Sequence, residues 1–217
     1  MVVVILVFCG IMALVDGVLK ANYATKSAVK LILFLLCPAA YGLWDKKLKI
    51  KPLFQYNKRG IWRVLGMGVG VYALILGGYL LLKDVFDFSA ITVALTGNIG
   101  VTANNFLWVS LYISFVNSLL EEFFFRGFAF LTLKRIASSK FAYLFSAAVF
   151  AVYHVAMMTG WFSVSVFALI LIGLFVGGLL FNYLNDKSES IYPSWLVHMS
   201  ANFAINTIGM MLFGMIP

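Results

Sequence analysis

The residues of this sequence that could do chemistry inside a membrane are few, and they lie in three separate apolar stretches. The segment SLLEEFFFRGF places Glu121, Glu122 and Arg126 within a long run of Phe, Leu, Val and Ile. The two histidines of the chain, His154 and His198, each lie in another apolar stretch. Because lipid offers no water to solvate them, ionisable groups at membrane depth indicate a functional site.

Helical spacing predicts how the charged groups of the first stretch are arranged. Glu122 and Arg126 are four residues apart and share one face of a helix, where an ion pair lowers the cost of burying both charges. Glu121 lies about 100° around the helix from Glu122 and has no obvious partner in its own segment. Asn117, one turn earlier, extends the face of Glu121. We therefore expect Glu121 to be the reactive carboxylate.

The second and third stretches each add a polar face. In FAVYH, Phe150 and His154 lie on one side of a helix, and in HMSAN the same spacing joins His198 and Asn202. Asn206 lies a further turn along. Three helices thus carry polar faces that must point toward one another rather than toward lipid.

This set of groups is suited to the hydrolysis of a carbonyl compound such as a peptide bond. A glutamate and a histidine together can activate a water molecule as general bases. A second histidine with an asparagine amide can donate hydrogen bonds to the oxyanion that develops when water attacks. The residue types therefore favour an intramembrane hydrolase.

The same residues are compatible with other functions. Two histidines and a glutamate form a common zinc ligand set, although the HExxH spacing is absent and the ligands would come from three helices. A proton-coupled carrier also buries carboxylates and histidines, but such carriers usually show internal repeats or broken helices, and neither is evident. A polar network that only holds helices together would not need both histidines and an unpaired glutamate.

The composition indicates an integral membrane protein. Of the 217 residues, 63% are hydrophobic and 11% charged, with a mean hydropathy of +1.00. Apolar runs near the roughly 20 residues that cross a bilayer cover 2–19, 28–44, 64–82, 106–133, 141–159, 163–183 and 193–215. We predict an all-α polytopic membrane protein, one membrane domain over residues 1–217, with about seven transmembrane helices around an intramembrane polar cavity.

The distribution of basic residues predicts the orientation of the chain, since cytoplasmic loops are rich in Lys and Arg. Eleven basic residues fall on one side of the predicted spans: Lys46, Lys47, Lys49, Lys51, Lys58, Arg59, Arg63, Lys134, Arg135, Lys140 and Lys187. At most four fall on the other: Lys20, Lys26, Lys30 and Lys83. The N-terminus is predicted to be cytoplasmic and the C-terminus outside, and the net charge of +8 indicates anionic lipid rather than nucleic acid as the partner.

Several segments outside the motifs carry predictions of their own. The segment 45–63, with Leu53 among its apolar residues, is expected to lie along the membrane interface. Glycines in the third and sixth spans are expected to allow close helix packing: Gly66, Gly68, Gly70, Gly77, Gly78, Gly173, Gly177 and Gly178. His154 and His198 lie at different distances from the cytoplasmic ends of their predicted spans, although both are expected at one site. Either the loop 185–192 therefore enters the membrane, or the fourth and fifth helices begin deeper in the membrane than their predicted ranges.

At the three motifs the sequence resembles the CAAX protease and bacteriocin-processing family of intramembrane proteases, also called the Abi family. The family pattern is EExxxR, FxxxH and HxxxN or HxxxD on separate helices. This chain reads EEFFFR from Glu121, FAVYH from Phe150 and HMSAN from His198. The resemblance covers residues 107–215, which we interpret as a catalytic core, and matches type II CAAX prenyl endopeptidases in particular.

The resemblance implies a role for each motif residue. Glu121 and His154 would polarise the attacking water, His198 and Asn202 would form the oxyanion hole, and Glu122 with Arg126 would hold the charge and geometry of the site. It implies a glutamate mechanism that needs no metal, with zinc as the alternative.

The predicted function is therefore an intramembrane endopeptidase in a bacterial cell membrane. Its substrate would be a membrane-associated peptide or protein, prenylated or bacteriocin-like. A non-catalytic bacteriocin-immunity or partner-binding protein is the alternative. We expect the site in the cytoplasmic half of the bilayer, inside a water-filled cavity.

Overall fold

The computed structural model describes residues 1–19, 21–45, 50–55, 60–158, 160 and 162–217. These ranges form seven long helices and two short ones, and they contain no strand. The helices are numbered in chain order. The first five are α1 Val2–Val18, α2 Tyr23–Trp44, α3 Ile50–Leu53, α4 Ile61–Leu82 and α5 Ser89–Ala94 extended by Leu95–Ile99. The last three are α7 Ser139–Met158, α8 Val164–Ser188 and α9 Tyr192–Leu212. Helix α6 runs through four consecutive segments, Phe106–Leu111, Tyr112–Asn117, Ser118–Glu121 and Glu122–Thr132.

The architecture confirms the prediction of an all-α polytopic membrane protein. Within the described ranges, four helices are long and apolar enough to cross a membrane, namely α2, α4, α7 and α8, and α1 is a shorter apolar helix. Helices α6 and α9 lie where spans were predicted, but they carry the charged and amide side chains of the motifs, which lower their hydropathy. The seven long helices match the seven predicted runs in order and approximate position.

Helix α6 is the centre of the bundle. Every residue from Leu120 to Leu133 is buried, so this stretch is surrounded by protein on all sides. The three phenylalanines of EEFFFR pack within the protein and do not face lipid. Phe124 stacks on Phe34 of α2 with ring centroids 4.1 Å apart, and Phe125 makes edge contacts with Phe34 and Phe150. The charged groups of the motif are therefore positioned by an aromatic core.

Helix α9 is held against α6 by a series of polar contacts. Trp195 Nε1 donates to Ser118 Oγ at 3.0 Å, and the Asn206 amide donates to Ser114 Oγ at 2.9 Å. Between them, Asn202 Nδ2 donates to the carbonyl of Ile113 at 3.3 Å. The polar faces that the sequence predicted on these two helices thus meet each other, which fixes their register.

Fewer of the predicted glycines lie in close helix–helix contacts than the sequence indicated. A Cβ on Gly68 would lie 2.6 Å from Ser200 Oγ, and one on Gly178 would lie 3.0 Å from the backbone of Ala147. The remaining predicted glycines, which are Gly66, Gly70, Gly77, Gly78, Gly173 and Gly177, have no neighbouring atom within 4 Å of such a Cβ among the described residues. The prediction of close packing is wrong for this second group, because those positions point away from the neighbouring helices.

The short helix α3 inserts into the protein instead of lying wholly along the interface. Leu53 is 1% exposed, and its side chain packs against Gly127 of α6. Its carbonyl accepts hydrogen bonds from Ile191 N at 2.9 Å and Ser190 Oγ at 3.1 Å. The turn before α9 therefore lies at the level of Gly127, inside the length of α6. Helix α8 continues to Ser188, inside the predicted loop 185–192, so only residues 189–191 connect it to α9.

Much of the basic segment before α4 lies outside the described residues: Lys46, Lys47, Lys49, Lys58 and Arg59, together with Lys20 of the opposite group. The orientation of the chain across the membrane stays a prediction.

Candidate active site

Three helices bring the predicted catalytic groups together around one carboxylate oxygen. Glu121 Oε2 on α6 lies 3.9 Å from Nε2 of His154 on α7 and 3.8 Å from Nε2 of His198 on α9. The three residues are separated by more than 30 positions in the sequence. The polar faces predicted from helical spacing therefore do converge. Both separations exceed a direct hydrogen bond and fit groups that share a small intervening molecule.

His154 is held by its own helix. Its Nδ1 lies 2.7 Å from the carbonyl oxygen of Phe150, one turn earlier. Because a carbonyl oxygen only accepts, Nδ1 must carry the hydrogen in this contact. In the neutral imidazole this leaves Nε2, the atom that faces Glu121, with a lone pair. The FxxxH spacing thus sets the orientation and the tautomer of the histidine, and His154 Nε2 can accept a proton.

His198 is held by the other glutamate. Its Nδ1 lies 2.9 Å from Glu122 Oε1, and its ring stacks on Phe181 with centroids 5.2 Å apart. An ionised carboxylate only accepts, so Nδ1 donates to Glu122. Carboxylate–histidine contacts of this kind fix the orientation of the ring and the hydrogen on Nδ1. Glu122 therefore positions the second imidazole of the site.

Arg126 is completely buried beside Glu122. Its Nε lies 3.5 Å from Glu122 Oε2, and its guanidinium carbon lies 4.1 Å from the ring centroid of Phe150 and 5.0 Å from that of Phe181. None of its three nitrogens has a hydrogen-bond partner among the described residues. The predicted ion pair is present, but aromatic faces supply the rest of the surroundings of the cation.

Lys30 is the site residue that the sequence analysis missed. It was counted among the outer basic residues, near the start of the predicted span 28–44, yet it is 6% exposed and places Nζ 2.9 Å from Glu121 Oε1. Asn117 Oδ1 accepts from the same ammonium at 2.6 Å, while Asn117 Nδ2 donates to Glu121 Oε1 at 3.0 Å. Glu121 therefore has two partners, one of them in its own helix.

One sequence signal could have located Lys30 within the helix. The side chain of Asn22 accepts from Thr25 N at 2.9 Å, which caps the start of α2. An N-cap at Asn22 starts the helix at Tyr23, several residues before the predicted span of 28–44. Lys30 then lies two turns inside the helix, at the depth of the motif residues.

Asn202 lies one turn beyond His198 on α9, as predicted. Its Nδ2 donates to the carbonyl of Ile113 at 3.3 Å. A primary amide has two N–H donors, so one can hold this carbonyl while the other donates elsewhere. The position of Asn202 is compatible with the predicted oxyanion-hole role, which stays a prediction.

The site is nearly closed to its surroundings. Glu121 is 1% exposed and Glu122 and Arg126 are 0% exposed, whereas the His154 side chain is 14% exposed. Access is therefore greatest on the His154 side. In the part of the chain that the structure describes, no group of three His, Cys, Asp or Glu side chains has an arrangement that could hold a metal ion.

Comparison with known proteins gives one match. Residues 103–204 match the family model described as type II CAAX prenyl endopeptidase Rce1-like. No curated protein and no solved structure matches the chain. The matched range contains Glu121, His154, His198 and Asn202, and Lys30 lies outside it. The match, which covers slightly less than half of the chain, supports intramembrane protease activity for this integral membrane protein, whose residues 103–204 are similar to the Rce1-like type II CAAX prenyl endopeptidases.

Proposed function

We propose that this chain is a glutamate-dependent intramembrane endopeptidase that cleaves a membrane-associated peptide. The observation that carries the proposal is the convergence of His154 Nε2 and His198 Nε2 on Glu121 Oε2, at 3.9 and 3.8 Å. A polar centre of this kind inside a hydrophobic bundle is costly, and it provides both a base and hydrogen-bond donors for hydrolysis.

The first step is activation of water. Glu121 Oε2 and His154 Nε2 both accept hydrogen bonds, so together they can hold the two O–H groups of one water molecule and aim its oxygen at a carbonyl carbon. As the carbon–oxygen bond forms, one proton of the water passes to Glu121. The carbon–nitrogen bond then breaks, and this proton passes from Glu121 to the leaving nitrogen. General bases of this kind contribute about 10²–10⁴-fold in rate.

The second requirement is stabilisation of the oxyanion. A doubly protonated His198, held at Nδ1 by Glu122, can donate from Nε2, and Asn202 can donate its second N–H. Donors that are fixed before the reaction stabilise the developing charge without reorganisation. The pairing of Glu122 with His198 supports this division of roles between the two adjacent glutamates.

We propose a mechanism without metal, on electrostatic grounds. The Lys30 ammonium lies 2.9 Å from the carboxylate of Glu121, where it would repel a divalent cation. Zinc remains the alternative that the histidine and glutamate set allows.

The proposed substrate is a membrane-associated peptide or protein, and the family description favours a prenylated CAAX sequence. Membrane lipids are the other expected partner, and no role for nucleic acid is proposed. We further propose a bacterial cell membrane as the location, with the N-terminus cytoplasmic and the site in the cytoplasmic half of the bilayer.

The experiment uses the full chain, purified and reconstituted in liposomes, with two fluorescent peptides that end in the same CAAX sequence. One peptide is farnesylated and the other is not. We expect cleavage of the farnesylated peptide, loss of about 10²–10⁴-fold for Glu121→Gln, and no effect of 1,10-phenanthroline.

Other outcomes separate the alternatives. Equal cleavage of both peptides would support an endopeptidase without prenyl specificity. Inhibition by phenanthroline with recovery on Zn²⁺ addition would overturn the metal-free mechanism. Cleavage of neither peptide, or full activity of Glu121→Gln, would overturn the proposed function and favour a non-catalytic immunity or partner-binding protein.

A further inference from the structure

We propose that Lys30 is a positioning residue of the active site, which neutralises Glu121 and turns one of its oxygens toward the histidines. The inference rests on the proposed function. Lys30 lies outside the family-matched range 103–204, so it adds to the site a residue that the three motifs do not contain.

The two carboxylate oxygens of Glu121 have different partners. Oε1 accepts from Lys30 Nζ at 2.9 Å and from Asn117 Nδ2 at 3.0 Å, and Lys30 Nζ donates to Asn117 Oδ1 at 2.6 Å. The three side chains thus form a closed triangle of hydrogen bonds. Oε2 is the oxygen left to face His154 and His198. Fixing Oε1 therefore fixes the direction in which Oε2 points.

The charge of the site supports the same role. Asp16, whose side chain is 5% exposed, pairs with Lys26. Outside this pair, four Asp, Glu, Lys or Arg residues are buried in the described part of the chain: Lys30, Glu121, Glu122 and Arg126. Two are acidic and two basic, so their formal charges cancel. Lys30 contacts Glu121 and Arg126 lies beside Glu122, so each buried carboxylate has its own Lys or Arg cation. Without Lys30, Glu121 would keep no such cation, and burying a carboxylate without one is expensive in a medium of low dielectric constant. The EExxxR motif supplies a cation for Glu122, and α2 supplies the one beside Glu121.

Aromatic rings form much of the remaining surroundings of the Lys30 ammonium. Its Nζ lies 5.1 Å from the ring centroid of Tyr153 and 5.8 Å from that of Phe34, within reach of cation–π attraction. Lys26, one turn earlier on α2, instead pairs with Asp16 at 3.5 Å. This second lysine has a similar helical environment and a carboxylate partner, but it does not contact Glu121, so it provides a matched control.

The catalytic arm of the test separates positioning from substrate binding. We expect Lys30→Met to lower kcat about 100-fold, the scale of a misplaced catalytic group, and to leave KM unchanged, because Lys30 does not face the substrate. Lys26→Met should leave both constants unchanged. The exchange variant Lys30→Asn with Asn117→Lys returns an ammonium to Glu121 from α6 and should recover part of kcat. The proposal would be overturned if Lys26→Met lowered kcat as much as Lys30→Met does, or if kcat were unchanged in Lys30→Met.

The stability arm needs no substrate, so it remains valid if the protease function fails. Thermal unfolding in detergent is measured for Lys30→Met, Glu121→Gln and the double variant. Each single change leaves a buried charge or dipole without its partner. The double variant should therefore lower the unfolding temperature by less than the sum of the decreases in the two single variants. Strict additivity would show that the two side chains are not coupled and would overturn the inference, whatever the peptide assay shows.

Discussion

Glu122 holds His198 through a 2.9 Å hydrogen bond to Nδ1, while the opposite nitrogen of the same ring faces Glu121 at 3.8 Å. Two consecutive glutamates thus contact one imidazole from its two sides. We propose that the two acidic residues have different roles, since Glu122 orients the histidine and Glu121 is left available for chemistry. The second glutamate is itself held by Arg126.

Replacing Arg126 by lysine should destabilise the protein, although the charge is kept. The guanidinium of Arg126 lies 4.1 Å from the Phe150 centroid and 5.0 Å from that of Phe181. A lysine ammonium cannot stack on both rings and would be buried with fewer favourable contacts. We expect a loss of about 2 kcal/mol in unfolding free energy, the upper range for desolvated cation–π contacts.

Thermal unfolding in detergent measures this loss, with Arg63→Lys at an exposed position as the control. Equal stability of both variants would show that the aromatic contacts of Arg126 contribute nothing.

Replacing Asn202 by alanine should reduce catalysis far more than stability. The proposed loss of one oxyanion donor corresponds to about 10²–10³ in kcat. Asn206→Ala is the comparison, because the Asn206 amide already donates to Ser114 Oγ and the Ser110 carbonyl. That variant should lower the unfolding temperature with little change in kcat. Peptide cleavage and thermal unfolding are measured on both proteins, and equal kcat losses would contradict the proposed role of Asn202.

A methyl group should be tolerated at Gly177 but not at the adjacent Gly178. A Cβ on Gly178 would meet Ala147 Cα at 3.0 Å, whereas no described atom lies within 4 Å at Gly177. Overpacking of a close helix contact costs about 1–3 kcal/mol. The two alanine variants are compared by thermal unfolding in one detergent. A similar unfolding temperature for both would mean that α7 and α8 can separate at no cost.

The orientation of the chain can be tested by cysteine accessibility in a background in which Cys9 and Cys37 are replaced by serine. We expect a cysteine at Trp62, which is 82% exposed, to react from the cytoplasmic side. A cysteine at Val164, which is 86% exposed, should react from outside, because α4 and α8 begin on opposite sides in the predicted topology. A membrane-impermeant maleimide applied to intact cells and to inverted vesicles gives the readout, and the reverse pattern would overturn the predicted orientation.

The helical membrane fold and the polar faces of its helices follow from local features of the sequence. Apolar runs of spanning length have few alternatives to helices in lipid, because every backbone polar group must be satisfied within the segment. Polar residues spaced four apart on three such helices must face inward for the same reason. The convergence of Glu121, His154 and His198 could therefore be predicted before the structure was known.

Which side chains contact one another across helices follows from tertiary packing. Lys30 and Glu121 lie 91 positions apart, and nothing in local spacing joins α2 to α6. The contact depends on the stacking of Phe34 on Phe124 between those two helices. Similarly, only the packed bundle distinguishes Gly178, which contacts Ala147, from Gly177, which contacts no described neighbour. Local patterns fix which face of a helix is polar or small, but the residues that meet across helices depend on packing between distant segments.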